Sequence, residues 1–486
     1  MKRDFYWYDA IAINVYYLGL TAISQSMVSL LLPLLVQGFV GPNRQGTYIG
    51  LIRLWGLLTA LLTQAVMGLL SDHSQLPWGR RRPFILAGSI VSLLTLSAMA
   101  YSAGMTGMRG YWMLFILYIL LQFGANTSQG ALQCLIPDLV HIEKLGAVSG
   151  VKALLEVPVA VIVVTLTVGR FVEQGNILGG LIALMVILVI ALLVTLTVKE
   201  TTIKYATNRL RVNWTPVIRL LFMTAVFASF ILVLGGLVGR AGNWLAGVES
   251  LPLLLLFMGG LGLLSMAAAV ILGVKSSIWI SLGGARDANT RSYIWWVISR
   301  LAFLVGSTNL ASFVLYFLQA RLGYSDTSAA GPASQMMMLV GLFLLISALP
   351  SGWLTDRYGQ KIVTAVSGLI AALGTLIMLL ARNILVIYIG GSVIGIAAGL
   401  FYTASWALGI TLVPRDEAGR FLGISNLAGA GAGAIGAYIG GPLADFFTVH
   451  APQAPGIGYV LIFVIYGLLF LLSVAALLGV ETQSHR

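Results

Sequence analysis

Two long apolar runs of this chain are joined by Gly68-Leu-Leu-Ser-Asp72-His-Ser-Gln-Leu-Pro-Trp-Gly79-Arg80-Arg81-Arg82-Pro83. A shorter near-copy joins two other apolar runs much later in the chain, as Gly352-Trp-Leu-Thr-Asp356-Arg357-Tyr-Gly359-Gln-Lys361. Such a cluster of charges is too costly to bury in hydrocarbon, so each stretch is predicted to be a short turn at a membrane surface. There its acidic and basic residues can pair with neighbouring helix ends. The residues of these turns that we predict to act in gating are Asp72, Arg80, Arg81, Asp356, Arg357 and Lys361.

The composition indicates an integral membrane protein. Of the 486 residues 59% are hydrophobic and only 9% are charged, and the mean hydropathy is +0.95. A soluble domain carries about 25% charged residues, so the chain falls outside that class. Its apolar runs are long enough for membrane helices, which need about 20 residues, whereas the strands of a membrane barrel are about 10 residues long and alternate in polarity. We therefore predict an all-α polytopic membrane protein.

Fourteen spans are predicted, in the order six, two and six. The first six divide from the last six at two polar segments, and this predicts an N-terminal six-helix bundle over 1–198 and a C-terminal bundle over 293–486. Between them, 199–292 is predicted to hold cytoplasmic linkers and two inserted transmembrane helices. The runs lie at about 10–37, 47–70, 84–104, 111–136, 147–169, 177–198, 216–238, 252–274, 293–319, 333–354, 362–381, 384–412, 420–444 and 458–480.

The basic residues predict the orientation. The net charge is +12, and with both termini inside, most of the 28 Lys and Arg residues fall in inner loops and tails. This is the positive-inside pattern, so both termini are predicted to be cytoplasmic in the cell membrane. The same pattern explains the basic balance without nucleic acid, which we do not expect as a partner.

The two halves repeat beyond the charged turn. The fourth span is followed by Pro137 and Asp138, and its later counterpart by Pro414, Asp416 and Glu417. In both places a Gly-x-x-x-Gly pattern opens the next helix, which favours close helix packing. Two repeated halves around a midplane site are typical of secondary transporters.

These motifs resemble the major facilitator superfamily, whose signature turn is Gly-x-Leu-x-Asp-Arg-x-Gly-x-Lys/Arg. Residues 352–361 match that turn, whereas the first copy has a longer spacer and His73 in place of Arg. The form of the first copy is similar to that of the sucrose–proton symporters and the wider glycoside–pentoside–hexuronide cation symporters. Those relatives have twelve spans, and this chain is predicted to have two more. The resemblance implies a rocking-bundle transporter whose central cavity is lined by spans 1, 4, 5 and their counterparts.

A few charged residues fall inside predicted spans, where each costs about 2.5–3.5 kcal/mol on insertion scales. Lys152 and Glu156 are four residues apart, so they lie on one face of span 5 and can pair. They form either an ion pair that only allows insertion or, with Arg300 in the second half, a proton-coupling group whose acidity follows its solvation. Arg300 could equally tie a helix end. Arg53 in span 2 is predicted to act in gating, with a lipid headgroup or substrate contact as alternatives.

Amides and aromatic rings supply candidates for solute binding. Gln122, Asn126, Gln129 and Gln133 follow one another at steps of four, three and four, so they form one stripe on span 4. Amides donate and accept directional hydrogen bonds that suit hydroxyl-rich solutes, although hydrogen bonds between helices are the alternative. The other predicted solute-binding residues are Asn14, Gln25, Asn309, Tyr402 and Trp406.

The sequence contains no phosphate-binding glycine loop and no paired Cys or His ligand set, so we expect no enzyme activity, cofactor or metal. We predict a monomeric secondary transporter that moves a sugar or glycoside together with a cation, and H+ is the cation that we expect. A drug or lipid exporter of the same superfamily is one alternative. A non-transporting pigment-delivery or assembly factor on the same fold is the other.

Overall fold

The structure, a computed structural model, describes residues 7–74, 76, 78–140, 144–198, 200, 214–282, 288–325, 328–413 and 418–481. These residues are almost entirely helical and include no strand. The α-helices, numbered in chain order, are α1 Trp7–Ser26, α2 Leu32–Val40, α3 Gln45–Asp72, α4 Arg82–Ser102, α5 Gly107–Leu132, α6 Leu135–Leu139, α7 Leu145–Leu154, α8 Ala160–Val164, α9 Arg170–Glu173, α10 Ile177–Leu196, α11 Thr215–Leu245, α12 Leu251–Leu282, α13 Ala288–Leu322, α14 Ala330–Tyr358, α15 Gln360–Leu380, α16 Ile384–Leu412, α17 Ala418–His450 and α18 Ile457–Ala476.

Several of these helices continue one another through irregular turns. A π-helical segment, Met27–Leu31, joins α1 to α2, and two more, Leu155–Val159 and Thr165–Gly169, join α7, α8 and α9. Pro158 lies within the second π segment, where its missing N–H removes one regular helical hydrogen bond. Each merged stretch is long enough to cross a bilayer in one pass.

The prediction of a multi-pass helical membrane protein is confirmed. Among the described residues, 13 helices are long and apolar enough to cross a membrane. The remaining predicted run, 420–444, lies in α17, a helix of 33 residues for which many side chains of the first turns fall outside the description. The acidic residues Asp416 and Glu417, which carry part of the sequence repeat, also lie outside the described residues.

Local capping explains where several helices begin. Asn176 and Asn383 each stand immediately before a helix, and their side chains accept hydrogen bonds from the backbone N–H of Gly179 at 2.7 Å and of Val386 at 3.0 Å. At the second charged turn, Gly359 separates α14 from α15 with φ of +89°, a conformation that side-chain-bearing residues rarely adopt.

The described chain forms two compact units. Unit 1 contains Met1–Leu31 and Leu58–Leu221. In it α4 crosses α5 at Gly88 and Gly124, where a Cβ atom on Gly124 would lie 2.9 Å from the Gly88 carbonyl oxygen. Backbones that approach this closely leave room only for glycine, as is common in packed membrane helices.

Unit 2 contains Leu32–Leu57 and Phe222–Arg486. Its α15 and α16 repeat the crossing of α4 and α5, because a Cβ atom on Gly374 would lie 2.9 Å from the Gly390 carbonyl oxygen. The third and fourth spans of each half thus meet in the same way. Stacked rings tie α13 to its neighbours, with Phe303 on Phe401 at 3.7 Å and Phe317 on Phe463 at 4.2 Å between ring centroids.

From Phe222 onward, the inserted helices α11 and α12 pack within unit 2 along α17. A Cβ atom on Gly235 would lie 2.5 Å from the ring of Tyr438, and one on Gly262 would lie 2.9 Å from Leu443. Unit 2 therefore includes α12 and the part of α11 from Phe222 onward, which the sequence assigned to a separate segment over 199–292. It also includes residues 32–57, which the sequence repeat assigns to the first bundle.

Candidate coupling and solute-binding site

The first charged turn forms a network of ion pairs inside unit 1. Arg81 is almost fully buried, and its guanidinium contacts the carboxylate of Asp138 at 2.9 Å and that of Asp72 at 2.5 Å. Arg80 reaches the same oxygen of Asp138 at 2.7 Å. Burial by itself lowers the pKa of the Arg81 guanidinium. The hydrogen bonds to Asp138 and Asp72 act in the opposite direction and outweigh burial, so the pKa lies above its usual value. The ion pairs with Asp138 therefore hold this turn against the end of the fourth span.

Glu200 joins this network, and the sequence analysis did not identify it. Its carboxylate accepts hydrogen bonds from the backbone N–H groups of Arg80, Arg81 and Arg82 at 2.6, 2.9 and 2.8 Å. These N–H groups lie at the start of α4, the positive end of its helix dipole. Glu200, which follows α10 in the chain, therefore neutralises that end of α4. The sequence did offer one signal for this role. Glu200 directly follows the sixth span, where the negative end of the helix dipole disfavours an acidic residue unless it has another partner.

The second charged turn is arranged differently in unit 2. Lys361 donates a hydrogen bond to the backbone carbonyl of Val480 at 2.6 Å, and Arg357 lies over the rings of Trp353 and Tyr358 at 5.3 and 5.6 Å. Within the described part of the chain no ion pair is recorded for Asp356. The two turns therefore share a sequence pattern but not a set of contacts.

Lys152 and Glu156 lie together, as their spacing predicts. The Lys152 ammonium is 3.7 Å from a Glu156 carboxylate oxygen and 4.4 Å from the centre of the Tyr17 ring. Their side chains are 29% and 34% exposed, and Glu156 lies in the π-helical segment that contains Pro158. The pair is loose, partly exposed at the protein surface and set in an irregular turn of the kind often found at functional sites.

The predicted amide stripe on α5 differs in exposure along its length. Asn126 is buried, and its amide donates to the backbone carbonyl of Gln122 at 2.8 Å. Gln122 and Gln129 are partly exposed, and Gln133, directly after the end of α5, is exposed. The stripe thus has a dry centre and more open positions on either side of it.

The predicted solute ligands of the first helix have different surroundings. Asn14 is fully buried, and its amide donates to the backbone carbonyls of Ala10 at 2.9 Å and Val148 at 3.1 Å. In this structure it ties α1 to α7 and presents no free donor to a solute. Gln25 is partly exposed.

Arg53 and Asn309 contact each other within unit 2. The Arg53 guanidinium donates to the side-chain oxygen of Asn309 at 3.0 Å and also to the hydroxyl of Ser312. The Asn309 amide donates in turn to the backbone carbonyl of Ala432 at 3.0 Å. Asn309 is fully buried, so it links α3, α13 and α17.

Arg300 and Trp406 also lie together in unit 2. The Arg300 guanidinium is 5.0 Å from the centre of the Trp406 ring and 5.9 Å from that of Trp296. Tyr402, one turn from Trp406 on α16, is 38% exposed. Three predicted site residues are therefore brought together by α13 and α16.

Comparison with known protein families identifies the class of the chain. The family described as MFS/sugar transport protein matches residues 10–258, just over half of the chain, and the Major Facilitator Superfamily description matches residues 296–486. The chain belongs to the major facilitator superfamily. It is a multi-pass membrane protein of that superfamily, and the resemblance seen in the sequence is confirmed.

Individual relatives match short parts of the chain. The sucrose transport protein SUT1 of Oryza sativa subsp. japonica is 32% identical over 102 residues, which are 18% of this chain and 19% of that protein. The multidrug resistance protein MdtG of Enterobacter lignolyticus is 33% identical over 154 residues, 30% of this chain and 36% of that protein. The chain thus matches 19% and 36% of the length of these two relatives.

The fold is shared along the whole chain. The crystal structure of the nucleoside transporter NupG covers 98% of this chain and 100% of its own, with a TM-score of 0.62 and 14% identity. At that identity the likeness shows the fold alone.

Proposed function

We propose that this transporter moves a sugar or glycoside by alternating access, coupled to a cation gradient and most directly to H+. The observation that carries the proposal is the Lys152–Glu156 pair, a partly exposed carboxylate in a membrane helix that lies 3.7 Å from a cation. The match to the MFS/sugar transport protein family and to part of a sucrose transport protein supports the choice of solute class.

The geometry of the pair suits proton exchange. A buried carboxylate becomes easier to protonate as it is desolvated and harder to protonate beside a cation. With Nζ and Oε2 at 3.7 Å and one third of the Glu156 side chain exposed, small movements of span 5 can change both influences. The π-helical turn around Pro158 supplies a place where this helix can adjust. Glu156 would then bind and release H+, with Lys152 as its counter-ion.

Each unit, taken by itself, carries candidate residues for binding the solute. In unit 1 these are the partly exposed Gln122 and Gln129 of α5, the exposed Gln133 directly after α5, and Gln25 of the first helix. In unit 2 they are Tyr402 and Trp406. Amides form directional bonds to hydroxyl groups, and an indole ring can stack on a sugar ring. The charged turns around Asp72 and Asp356, with Arg53, would act in gating.

The test is uptake of labelled sugars into proteoliposomes with an imposed pH gradient. The parent chain should accumulate a sugar above equilibrium, and Glu156→Gln should abolish accumulation while leaving sugar exchange across the membrane. Glu173→Gln is the matched control, because Glu173 is exposed in α9 at the other end of the same span. Unchanged accumulation by Glu156→Gln would refute the coupling role. Absence of uptake across a panel of neutral and acidic sugars would refute the solute class.

A drug exporter is the second candidate, and the partial match to MdtG favours it. The same vesicles, loaded with a fluorescent cationic dye, separate the two functions. Dye efflux driven by the pH gradient, without sugar uptake, would support the exporter.

A further inference from the structure

Tyr17 of α1 contacts the Lys152–Glu156 pair from a neighbouring helix. Its side chain is only 2% exposed, and the Lys152 ammonium lies 4.4 Å from the centre of its ring. One turn away, the Asn14 amide donates to the backbone carbonyl of Val148 at 3.1 Å. These two contacts are spaced by three residues on α1 and by four on α7, so they lie along one face of each helix. The register of α1 along α7 therefore places the ring against the ammonium.

The Lys152 ammonium is shared between a ring and a carboxylate. It lies 3.7 Å from a Glu156 oxygen, whereas a direct charge-assisted hydrogen bond between such groups spans about 2.7–2.9 Å. The 4.4 Å that separate it from the centre of the Tyr17 ring are well inside the range of about 6 Å for a cation–π contact. The ring therefore competes with the carboxylate for the same cation.

Lys152 is the charged partner of Glu156 within the described residues. The other ionisable side chain recorded as interacting with Glu156 there is Tyr17, and Tyr17 interacts in turn with Cys134, which directly precedes α6. Phenols and thiols are ordinarily neutral at pH 7. The position of the Lys152 ammonium is therefore the feature of this cluster that most affects the charge of Glu156.

We infer that Tyr17 is a positioning residue of the proposed coupling pair, whose ring holds the Lys152 ammonium back from Glu156 and retains it when Glu156 binds H+. This rests on the proposed function, and it adds a residue of the first helix to the proton site of span 5. Protonated Glu156 is neutral, so without the ring a cation inside the span would lose its partner. The ring, which is neutral itself, compensates Lys152 in both states.

The experiment titrates Glu156 by infrared spectroscopy in the full-length protein in liposomes, without any solute. The band of a protonated carboxylic acid that disappears in Glu156→Gln reports its protonation. Tyr17→Leu removes the ring, so the ammonium moves onto the carboxylate and favours its charged form. We expect the midpoint of the titration to fall by about 0.5 pH unit, the equivalent of one cation–π contact. An unchanged or higher midpoint would overturn the inference.

Graded changes of the ring test the same point at nearly constant packing, and they give the answer even if Tyr17→Leu does not fold. Tyr17→Phe retains the ring and should keep the parent midpoint. Fluorinated phenylalanines incorporated at position 17 weaken the negative face of the ring with little change in its size. The midpoint should therefore fall stepwise with each added fluorine. A flat series would reject the positioning role, because a ring that only fills space is insensitive to its charge distribution.

Tyr16→Leu is the matched control. Tyr16 is the next residue of α1 and is fully buried, but its hydroxyl is hydrogen-bonded to those of Ser89 at 2.5 Å and Ser128 at 3.1 Å. Loss of this ring should lower the unfolding temperature and leave the Glu156 midpoint at the parent value. Equal shifts in the Tyr16 and Tyr17 variants would trace the effect to a general loosening of α1 and would also overturn the inference.

The two proposals fail in different ways. A midpoint that ignores the ring at position 17, in a protein that accumulates sugar under a pH gradient, would reject the role of Tyr17 and leave proton coupling standing. A midpoint that follows the ring, in a protein that takes up no sugar, would reject sugar transport and retain the positioning role.

Discussion

Arg81 and Asp138 are 57 residues apart in the chain, and yet the guanidinium of one donates to the carboxylate of the other at 2.9 Å. Asp138 lies just beyond the fourth span, and Arg81 precedes α4, so their contact fastens a turn of the chain to a neighbouring helix end. Because the Arg81 side chain is only 3% exposed, water does little to stabilise its charge, and the carboxylates of Asp138 and Asp72 compensate it instead.

Asp138→Ala should therefore destabilise unit 1 by about 1–3 kcal/mol, because a buried guanidinium loses one of its two carboxylates. The measurement is thermal unfolding of the purified protein followed by tryptophan fluorescence. Asp356→Ala is the control in the second turn, where the described structure records no ion pair, and it should leave the unfolding temperature near that of the parent. Equal losses in the two variants would contradict the pairing.

Glu200→Ala should weaken the start of α4. The substitution removes the acceptor for three backbone N–H groups, and the loss of a helix-capping carboxylate costs about 1–2 kcal/mol. Hydrogen exchange of the peptide around Arg80 to Arg82 should rise while exchange elsewhere in unit 1 stays low. Glu249→Ala, in the link between α11 and α12, is the control, and the same change in that variant would exclude a local effect.

Gly88→Ala should disturb the crossing of α4 and α5. A Cβ atom there would lie well inside the van der Waals contact distance of the Gly124 carbonyl oxygen, so the helices must separate, at about 1–3 kcal/mol for overpacking. Gly236→Ala, in α11, is the matched control because a Cβ atom there meets nothing within 4 Å, and alanine favours the helix. Thermal unfolding should fall for the first variant only. A parent-like Gly88→Ala protein would show that the crossing is looser than the structure has it.

Asp445→Ala should release the beginning of α3 within unit 2. The Asp445 side chain accepts hydrogen bonds from the backbone N–H of Gly46 at 2.9 Å and of Thr47 at 2.7 Å. Removing this buried carboxylate leaves both backbone N–H groups without a hydrogen-bond acceptor, which costs about 1–3 kcal/mol of folding stability. The readout is trypsin cleavage after Arg44, an exposed residue directly before α3, and the rate of cleavage should increase.

Asp445→Asn is the companion variant, because it keeps one acceptor oxygen and should give an intermediate cleavage rate. Cleavage at the parent rate in Asp445→Ala would mean that other contacts hold the helix start. One such contact is the hydrogen bond from the Gln45 amide to the Tyr459 hydroxyl at 2.7 Å.

Features that depend on neighbours in the chain could be predicted from the sequence. Hydropathy is local, and it indicated the spans; helical spacing is local, and it indicated the contact between Lys152 and Glu156, observed at 3.7 Å. Contacts between distant segments were not accessible in this way. Asn14 and Asn309 were predicted to bind solute, and the structure uses their amides in ties between helices.

By itself, the sequence determined that this protein is a multi-pass helical membrane protein, because long apolar runs can be satisfied in a bilayer only by helices and the charged turns mark their ends. Only the tertiary structure decided that Glu200 caps α4, that Asp445 holds the start of α3 and that Arg300 lies beside the indoles of Trp296 and Trp406. Those outcomes depend on which side chains from distant segments meet. These contacts are determined by how the helices pack, and the local sequence pattern of each segment does not specify them.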